Sequence, residues 1–148
     1  MNIILTEEDK KIIKPLQRFY DDFINSNNLS VLDEIIGPNY INHAAPFGLA
    51  NDKEGLKKLL EQFILAFPDQ HIEAKMIFAK NDLAIAYWEI TGTHQGVFFD
   101  VQPTGKKIKM TGIDIDRVQN GKIVEHWGGE DMMTLLSQIE CINLPKHK

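Results

Sequence analysis

The sequence predicts an α+β domain with a mainly antiparallel sheet, and two residue patterns predict it. Apolar residues recur at helical spacing through the first half of the chain and at every second position from residue 71 onward. Turn residues separate the alternating segments, which is typical of consecutive antiparallel strands. Helices followed by a run of long strands place the helices on one face of the sheet.

Two helices are predicted in the first quarter of the chain. Thr6 followed by three acidic residues is a typical helix start, because a hydroxyl caps free N–H groups and carboxylates suit the positive end of the helix. The apolar stripe that follows runs over residues 12–24, with a kink or an early break expected at Pro15. A short second helix is expected over residues 31–36, ended by a Gly-Pro pair.

The middle of the chain predicts a loop and then another helix. Residues 40–50 are rich in turn-forming residues and predict a loop. A third helix is expected after a cap at Asn51 or Asp52, with one apolar stripe that ends before Pro68. A last helix over residues 131–139 closes the domain.

The second half of the chain predicts a sheet. Four strands are expected, over residues 71–79, 83–94, 107–118 and 123–127. An Asn-Gly hairpin turn joins the last two. Two of the strands are apolar on both faces, so the face turned away from the helices also needs a cover. We therefore expect a homodimer formed through the sheet.

Composition excludes several classes of function. The 148 residues are 43% hydrophobic, which suits one domain over residues 1–148. A net charge of −5 argues against a nucleic-acid partner, because phosphate binding needs clustered basic residues. No apolar run approaches the ~20 residues that span a bilayer. Cys141 is the single cysteine, and the N-terminus does not resemble a secretory signal, so the cytoplasm is the expected location.

Common catalytic motifs are missing from the sequence. The glycines do not form a phosphate-binding loop, and neither Ser30 nor Ser137 lies in a nucleophile elbow. No two histidines have a helical metal-binding spacing, so we expect no metal. Folding could still bring His43, His94 and Asp131 together by chance.

Acidic residues among apolar ones in the third strand are the first candidates for chemistry. Alternation places Met110, Asp114, Asp116 and Val118 on one face of this strand. An acid between isoleucines in a strand with two apolar faces is uncommon. Either carboxyl could instead be paired with an arginine or lysine on a neighbouring strand, and this alternative stays open.

The last strand and the start of the closing helix hold a second candidate set. Glu125, Trp127 and Asp131 share one side if the strand continues through the two glycines between them. Asp131 is equally suited to cap the closing helix. Trp88 and His94 share one side of their strand and are further candidates. A single histidine in such a position is more often a hydrogen-bonded core residue than a catalyst.

Several segments, in this order, resemble the SnoaL-like polyketide cyclases of the nuclear-transport-factor-2-like superfamily. The resemblance covers roughly residues 8–140. The matching segments are residues 40–43, 66–69, 92–96, 103–106, 112–117 and 121–127, followed by Asp131 and residues 135–139.

This resemblance implies a cone-shaped α+β barrel, usually dimeric, with a deep apolar cavity and with neither metal nor organic cofactor. The named cyclases close a ring by intramolecular aldol condensation, with a pocket aspartate as acid and base. Asp131 corresponds to the acid four residues after the family tryptophan. Many members also carry an acid directly after that tryptophan, where this chain has Gly128.

The resulting hypothesis is an acid/base enzyme that acts on a small apolar carbonyl compound. Burial would raise the pKa of an aspartate toward neutrality and make it a useful base. The candidate base is Asp131 or Asp114, and the other acid, His43 or His94 would donate a proton or a hydrogen bond. The expected substrate contacts are Tyr40, Phe67, Trp88, Met110 and Trp127. An isomerase or hydrolase on the same fold, and a non-catalytic ligand-binding module, are the alternatives.

Overall fold

A computed structural model describes residues 3–46 and 48–146 of the chain, and the predicted α+β fold is confirmed. The α-helices are α1 (Glu7–Arg18), α2 (Val31–Ile35), α3 (Lys53–Ala66) and α4 (Met132–Gln138). The strands are β1 (Ile36–Asn42), β2 (His71–Lys80), β3 (Leu83–Thr93), β4 (Lys107–Gln119) and β5 (Lys122–Glu130). In the described part of the chain, no helix is long and apolar enough to cross a bilayer.

The five strands form one curved sheet in the order β1-β5-β4-β3-β2. The four predicted strands pair antiparallel, and β1 joins β5 in parallel. The first and last strands of this order are not paired with each other, so the sheet curves without closing. Register shifts in β1, β2 and β5 are irregularities of the kind that bend a strand and increase its twist.

Strand β1 was not predicted. Gly37 and Pro38 were expected to end the preceding helix, and residues 40–50 were expected to form a loop from their start. Proline has no backbone N–H to donate to a neighbouring strand. Pro38 is compatible with a strand here because β1 lies at the edge of the sheet and has no neighbouring strand on its outer side.

The first helix begins as predicted. Thr6 and Asp9 cap it reciprocally, each side chain accepting a hydrogen bond from the backbone N–H of the other. Pro15 lies inside α1 and does not end it. The helix then widens into a π-helical segment over Phe19–Ile24, where the N–H of Asn25 donates to the carbonyl of Tyr20 at 2.9 Å.

A single hydrophobic core joins the helices to one face of the sheet, which we call the inner face. Alternation along β4 confirms that Met110, Asp114, Asp116 and Val118 share this face. Met110, Asp116 and Val118 are buried, whereas Ile113 points to the opposite, outer face and is exposed. The inner face therefore positions the candidate acids against the helices.

Candidate active site

A cavity of about 110 Å³ lies between the inner face of the sheet, α3 and the π-helical segment. Its wall is mainly apolar. The apolar members include Phe19, Ile36, Leu56, Leu60, Phe63, Trp88, Ile90 and Met110. The polar members are Tyr40, Asn42, Gln70, Asp114, Asp116, His126 and Glu130. The volume is several times the roughly 10–15 Å³ that one water needs, so the cavity can hold a compact organic ligand.

Asp114 is the central acid of the cavity. The alternation of β4 turns its side chain inward, and the hydroxyl of Tyr20 donates to Oδ2 at 2.6 Å. Burial and the neighbouring Asp116 raise the pKa of Asp114 to about 6, against the opposing effect of His126 and the hydrogen bond from Tyr20. Asp114 is therefore a stronger base than a carboxylate in water.

Asp116 and His126 form a buried pair next to Asp114. His126 Nδ1 lies 2.6 Å from Asp116 Oδ1, and these two residues are direct cross-strand neighbours on β4 and β5. Burial alone would lower the pKa of His126, but the bond to Asp116 and the charge of Asp114 raise it to about 9. Burial raises the pKa of Asp116 and His126 opposes that rise. We assign an imidazolium–carboxylate pair at neutral pH.

Glu130 and Tyr40 complete the polar side of the cavity. Glu130 is exposed as a residue yet lines the cavity, and partial burial together with the charge of Asp114 raises its pKa. Burial, reinforced by Asp116 and Asp114, raises the pKa of Tyr40, so its hydroxyl stays protonated. The cavity thus combines several carboxyls with few cations, which favours protonated carboxyl groups.

Gly128 lies on the inner face between His126 and Glu130, directly opposite Asp114. A Cβ at this position would come within 2.8 Å of His126 Nε2 and 3.0 Å of the Ile113 carbonyl oxygen. The position at which many family members are expected to have an acid therefore holds no side chain, because the imidazole of His126 uses that space.

Asp131 is not part of the cavity wall, and its placement does not support the predicted role as the base. β5 ends at Glu130, so the alternation used to place Asp131 no longer applies. Its carboxylate caps α4 instead, accepting from the Thr134 backbone N–H at 3.2 Å and from the Thr134 hydroxyl at 2.6 Å. These bonds lower the pKa of Asp131, opposite to what a base needs. The alternative prediction of a helix cap is confirmed.

His43 and Trp127 lie on the outer face, away from the cavity. Their rings stack with centroids 4.8 Å apart, and His43 Nε2 lies 2.7 Å from Glu125 Oε2. The guanidinium carbon of Arg117 also lies over the ring of Trp127, 5.7 Å from its centroid. The expected donor role of His43 and the expected wall position of Trp127 are therefore not supported by their placement.

His94 and Phe67 belong to the core rather than to the cavity wall. His94 is fully buried, its Nδ1 accepts from the Thr104 backbone N–H at 3.2 Å, and its ring lies 5.6 Å from that of Phe67. Phe67 also packs edge-on against Phe98. His43, His94 and Asp131 thus lie in three separate environments, and in residues 3–46 and 48–146 no group of three or more potential ligands is arranged to hold a metal ion.

Tyr40, Trp88 and Met110 lie in the cavity wall, as expected of substrate contacts; whether they touch a substrate stays a prediction. Sequence reasoning missed Tyr20, His126 and Glu130. Tyr20 was counted with the apolar stripe of the first helix. Alternation along β5 could have indicated His126 and Glu130. These two residues and Gly128 share the face opposite to that of Trp127, which points outward.

The family model for SnoaL-like polyketide cyclases matches residues 14–139. The chain belongs to the SnoaL-like polyketide cyclase family. It is similar to the structure of IdmH from Streptomyces antibioticus, named as a candidate polyketide cyclase, at 31% identity and a TM-score of 0.76, over 87% of this chain and 98% of that one. No curated protein sequence matches the chain significantly.

Two further solved structures share this fold. AclR from Streptomyces galilaeus, named as a candidate hydroxylase, is 28% identical, with a TM-score of 0.81 over 92% of this chain and 89% of that one. A protein of Bacillus cereus ATCC 10987, named as a candidate polyketide cyclase, is 27% identical, with a TM-score of 0.79 over 96% and 100%. The names of these neighbours span two reaction types, so the chemistry must be argued from the cavity.

Proposed function

We propose that this protein is a cofactor-independent acid/base enzyme that acts on a small apolar carbonyl compound, by the aldol type of ring closure. The observation that carries the proposal is the carboxyl of Asp114, held in an apolar cavity with a pKa raised to about 6. A base with a pKa close to the working pH is both largely ionised and strong enough to accept a proton.

The first step is removal of a proton from the carbon next to a carbonyl group. Asp114 Oδ2 is engaged by the Tyr20 hydroxyl, which leaves Oδ1 to receive this proton. The C–H electron pair moves to the carbonyl oxygen and gives an enolate. The Tyr20 hydrogen bond holds the carboxylate in one orientation.

Ring closure follows when the enolate carbon attacks a second carbonyl of the same molecule. A C–C bond forms and the second oxygen becomes an alkoxide, which takes back the proton held by Asp114. The reaction is an isomerisation, so no other reactant is required. The imidazolium of His126 favours negative charge on an oxygen in this cavity.

Family membership and the names of the neighbours support this chemistry without fixing the substrate. IdmH is named for cyclase chemistry at 31% identity, whereas AclR is named for hydroxylation. The free volume of about 110 Å³ favours a compact, one-ring product over a large fused one.

The proposal is tested with two carbonyl probes. The wild type should accelerate the exchange of the α-hydrogens of cyclohexanone in deuterated water, followed by NMR. It should also convert heptane-2,6-dione to its cyclic aldol product. Asp114→Asn should reduce both rates by about 10²–10⁴-fold, since amides are not bases in this range. No acceleration by the wild type over buffer would contradict the proposal.

Asp131→Asn is the matched control for this experiment. It also replaces an acid by an amide, and asparagine remains a good helix cap, so the fold is kept. Because Asp131 lies outside the cavity, its replacement should leave both rates unchanged. A loss of rate in this variant equal to that in Asp114→Asn would overturn the assignment of the base.

A non-catalytic ligand-binding module is the second candidate, and the predominantly apolar cavity wall favours it. The two functions differ in one measurement. If the protein is a binding module, cyclohexanone should raise the melting temperature of the wild type and of Asp114→Asn to the same extent. Neither protein should then accelerate the exchange of the α-hydrogens of cyclohexanone.

A further inference from the structure

We propose that the indole N–H of Trp88 is the hydrogen-bond donor that holds the carbonyl oxygen of the substrate while Asp114 removes the neighbouring proton. The inference rests on the function proposed above and assigns a specific role to a residue of the wall. It also defines the substrate class, a compound whose acidic C–H lies on the carbon next to a carbonyl group.

The first observation is an unused donor in the cavity. Trp88 is 5% exposed and lines the cavity, and Nε1 finds no acceptor with hydrogen-bond geometry anywhere in the described parts of the chain. A buried donor without a partner is unfavourable, and buried indole N–H groups normally have one. An acceptor atom of a bound ligand would satisfy it.

The second observation is that the sequence makes room for this ring. Trp88 on β3 is the direct cross-strand neighbour of Gly112 on β4. A Cβ on Gly112 would lie 2.2 Å from Cζ2 and 2.6 Å from Cη2 of the indole, so the ring rests directly on the strand backbone. The absence of a side chain at Gly112 therefore fixes where the N–H of Trp88 is placed.

The third observation is that this donor lies beside the base. The indole N–H interacts with the Asp114 carboxyl and lowers its pKa, although the contact falls short of the geometry of a full hydrogen bond. In an enolisable carbonyl compound, the oxygen and the acidic hydrogen are separated by two heavy atoms. One ligand can therefore accept from Trp88 through its oxygen and present its hydrogen to Asp114 Oδ1.

The proton moves from the α-carbon to Asp114, and the electron pair of the broken C–H bond moves to the oxygen that Trp88 contacts. The negative charge grows on this oxygen, so the hydrogen bond strengthens as the reaction proceeds. Such a donor stabilises the enolate more than the ketone and accelerates the step.

The test uses the indole N–H signals of the ¹⁵N-labelled wild type at pH 7. The chain has two tryptophans, and Trp127 on the outer face serves as the internal reference. Cyclohexanone should move the Trp88 signal downfield and leave that of Trp127 unchanged. Methylcyclohexane, which has a similar shape and no acceptor, should produce no such downfield shift. An unmoved Trp88 signal at saturating cyclohexanone would overturn the inference.

Trp88→Phe supplies the second readout, because it keeps an aromatic ring and removes the donor. The affinity for cyclohexanone should fall about tenfold, the usual effect of one neutral hydrogen bond, whereas the affinity for methylcyclohexane should change less than about twofold. Equal losses for both ligands would indicate a packing role and contradict the inference.

The outcomes separate the two proposals. A downfield Trp88 signal without hydrogen exchange would support the donor role and refute the proposed enzyme. Hydrogen exchange at the wild-type rate in folded Trp88→Phe would support the enzyme and refute the donor role.

Discussion

Two adjacent cross-strand pairs on β4 and β5 differ in the face of the sheet on which they lie. Asp116 and His126 meet on the inner face at 2.6 Å, with side chains 4% and 17% exposed. Arg117 and Glu125, the next pair in register, meet on the outer face at 3.0 Å, with side chains 33% and 26% exposed. Both pairs combine a cation with a carboxylate, yet only the inner one has been taken out of water.

Position on the sheet, rather than residue type, therefore decides how an ion pair affects its surroundings. On the outer face, Arg117 also binds Asp82 at 2.9 Å, and water screens the whole group. On the inner face, burial and Asp116 raise the pKa of Asp114 to about 6, while His126 opposes the rise. Burial on the inner face therefore produces a reactive carboxyl, whereas the groups of the outer pair remain in contact with water.

The largest expected effect comes from breaking the inner pair. His126→Ala leaves Asp116 buried without its partner, which should lower the free energy of unfolding by about 3 kcal/mol at pH 7. Glu125→Ala breaks the outer pair and should cost less than about 1 kcal/mol. Urea denaturation measures both. Similar losses in the two variants would contradict the contrast between the faces.

A second prediction concerns what covers the outer face. The outer patch consists of Ile85, Tyr87, Ile113, Ile115 and Trp127, which are cross-strand neighbours. Tyr87 and Ile113 are 41% and 49% exposed. We propose that a second copy of the chain covers this patch, because a contiguous apolar surface on paired strands is typical of an interface.

Ile113→Lys tests this proposal. A charged side chain in an apolar interface should weaken dimerisation about 100-fold, which light scattering over a dilution series detects. Met133→Lys is the matched control, since Met133 is an exposed apolar residue on α4 and outside the outer patch. A wild type that is monomeric at micromolar concentration would refute the dimer.

The third prediction is a stabilising replacement of the proposed base. The pKa of Asp114 is raised from 3.8 to about 6, so the folded state holds its proton more tightly than the unfolded state. The carboxyl therefore favours folding fully below pH 3.8, and this contribution is lost as the pH rises through about 6. At pH 7 the loss is about 2–3 kcal/mol.

Asp114→Asn removes this penalty. The variant should be more stable than the wild type at pH 7 by up to about 2 kcal/mol and equal to it near pH 4. Urea denaturation at both pH values provides the measurement. An Asn variant that is destabilised at pH 7 would show that the ionised carboxyl stabilises the fold, contrary to the raised pKa.

The smallest predicted effect concerns Tyr20. Its hydrogen bond lowers the pKa of Asp114, so Tyr20→Phe should raise that pKa further, by up to about one unit. The midpoint of the rise in exchange rate with pH should move upward from about 6 accordingly. Tyr87→Phe, on the outer patch, should leave the midpoint in place. A midpoint that moves downward would refute the role of the Tyr20 hydroxyl.

Local patterns predicted most of the fold and half of the candidate site. Alternation along β4 placed Asp114 and Asp116 together on the inner face, because β4 is long and its inner residues keep the period of two. The same rule failed at Asp131, since β5 ends one residue earlier. β1 was missed because Gly37 and Pro38 normally end an element, and only the edge position in the sheet makes them acceptable in a strand.

The partners of the two aspartates could not be predicted in this way. His126 meets Asp116 only in the register that β4 and β5 adopt, and a shift between Arg117 and Val118 changes that register locally. Tyr20 reaches Asp114 from a helix that precedes the strand by most of the chain. Both contacts are tertiary. The apolar stripe of a helix looks the same in the sequence whether its tyrosine only packs in the core or also donates a hydrogen bond.

The fit between Trp88 and Gly112 has a consequence for how this protein can evolve. Gly112 cannot change alone, because any side chain at this position collides with the indole. A side chain at 112 therefore requires an earlier loss of the indole at 88. Homologues with a tryptophan at the position of Trp88 should carry glycine at that of Gly112, whereas a glycine there does not require the tryptophan.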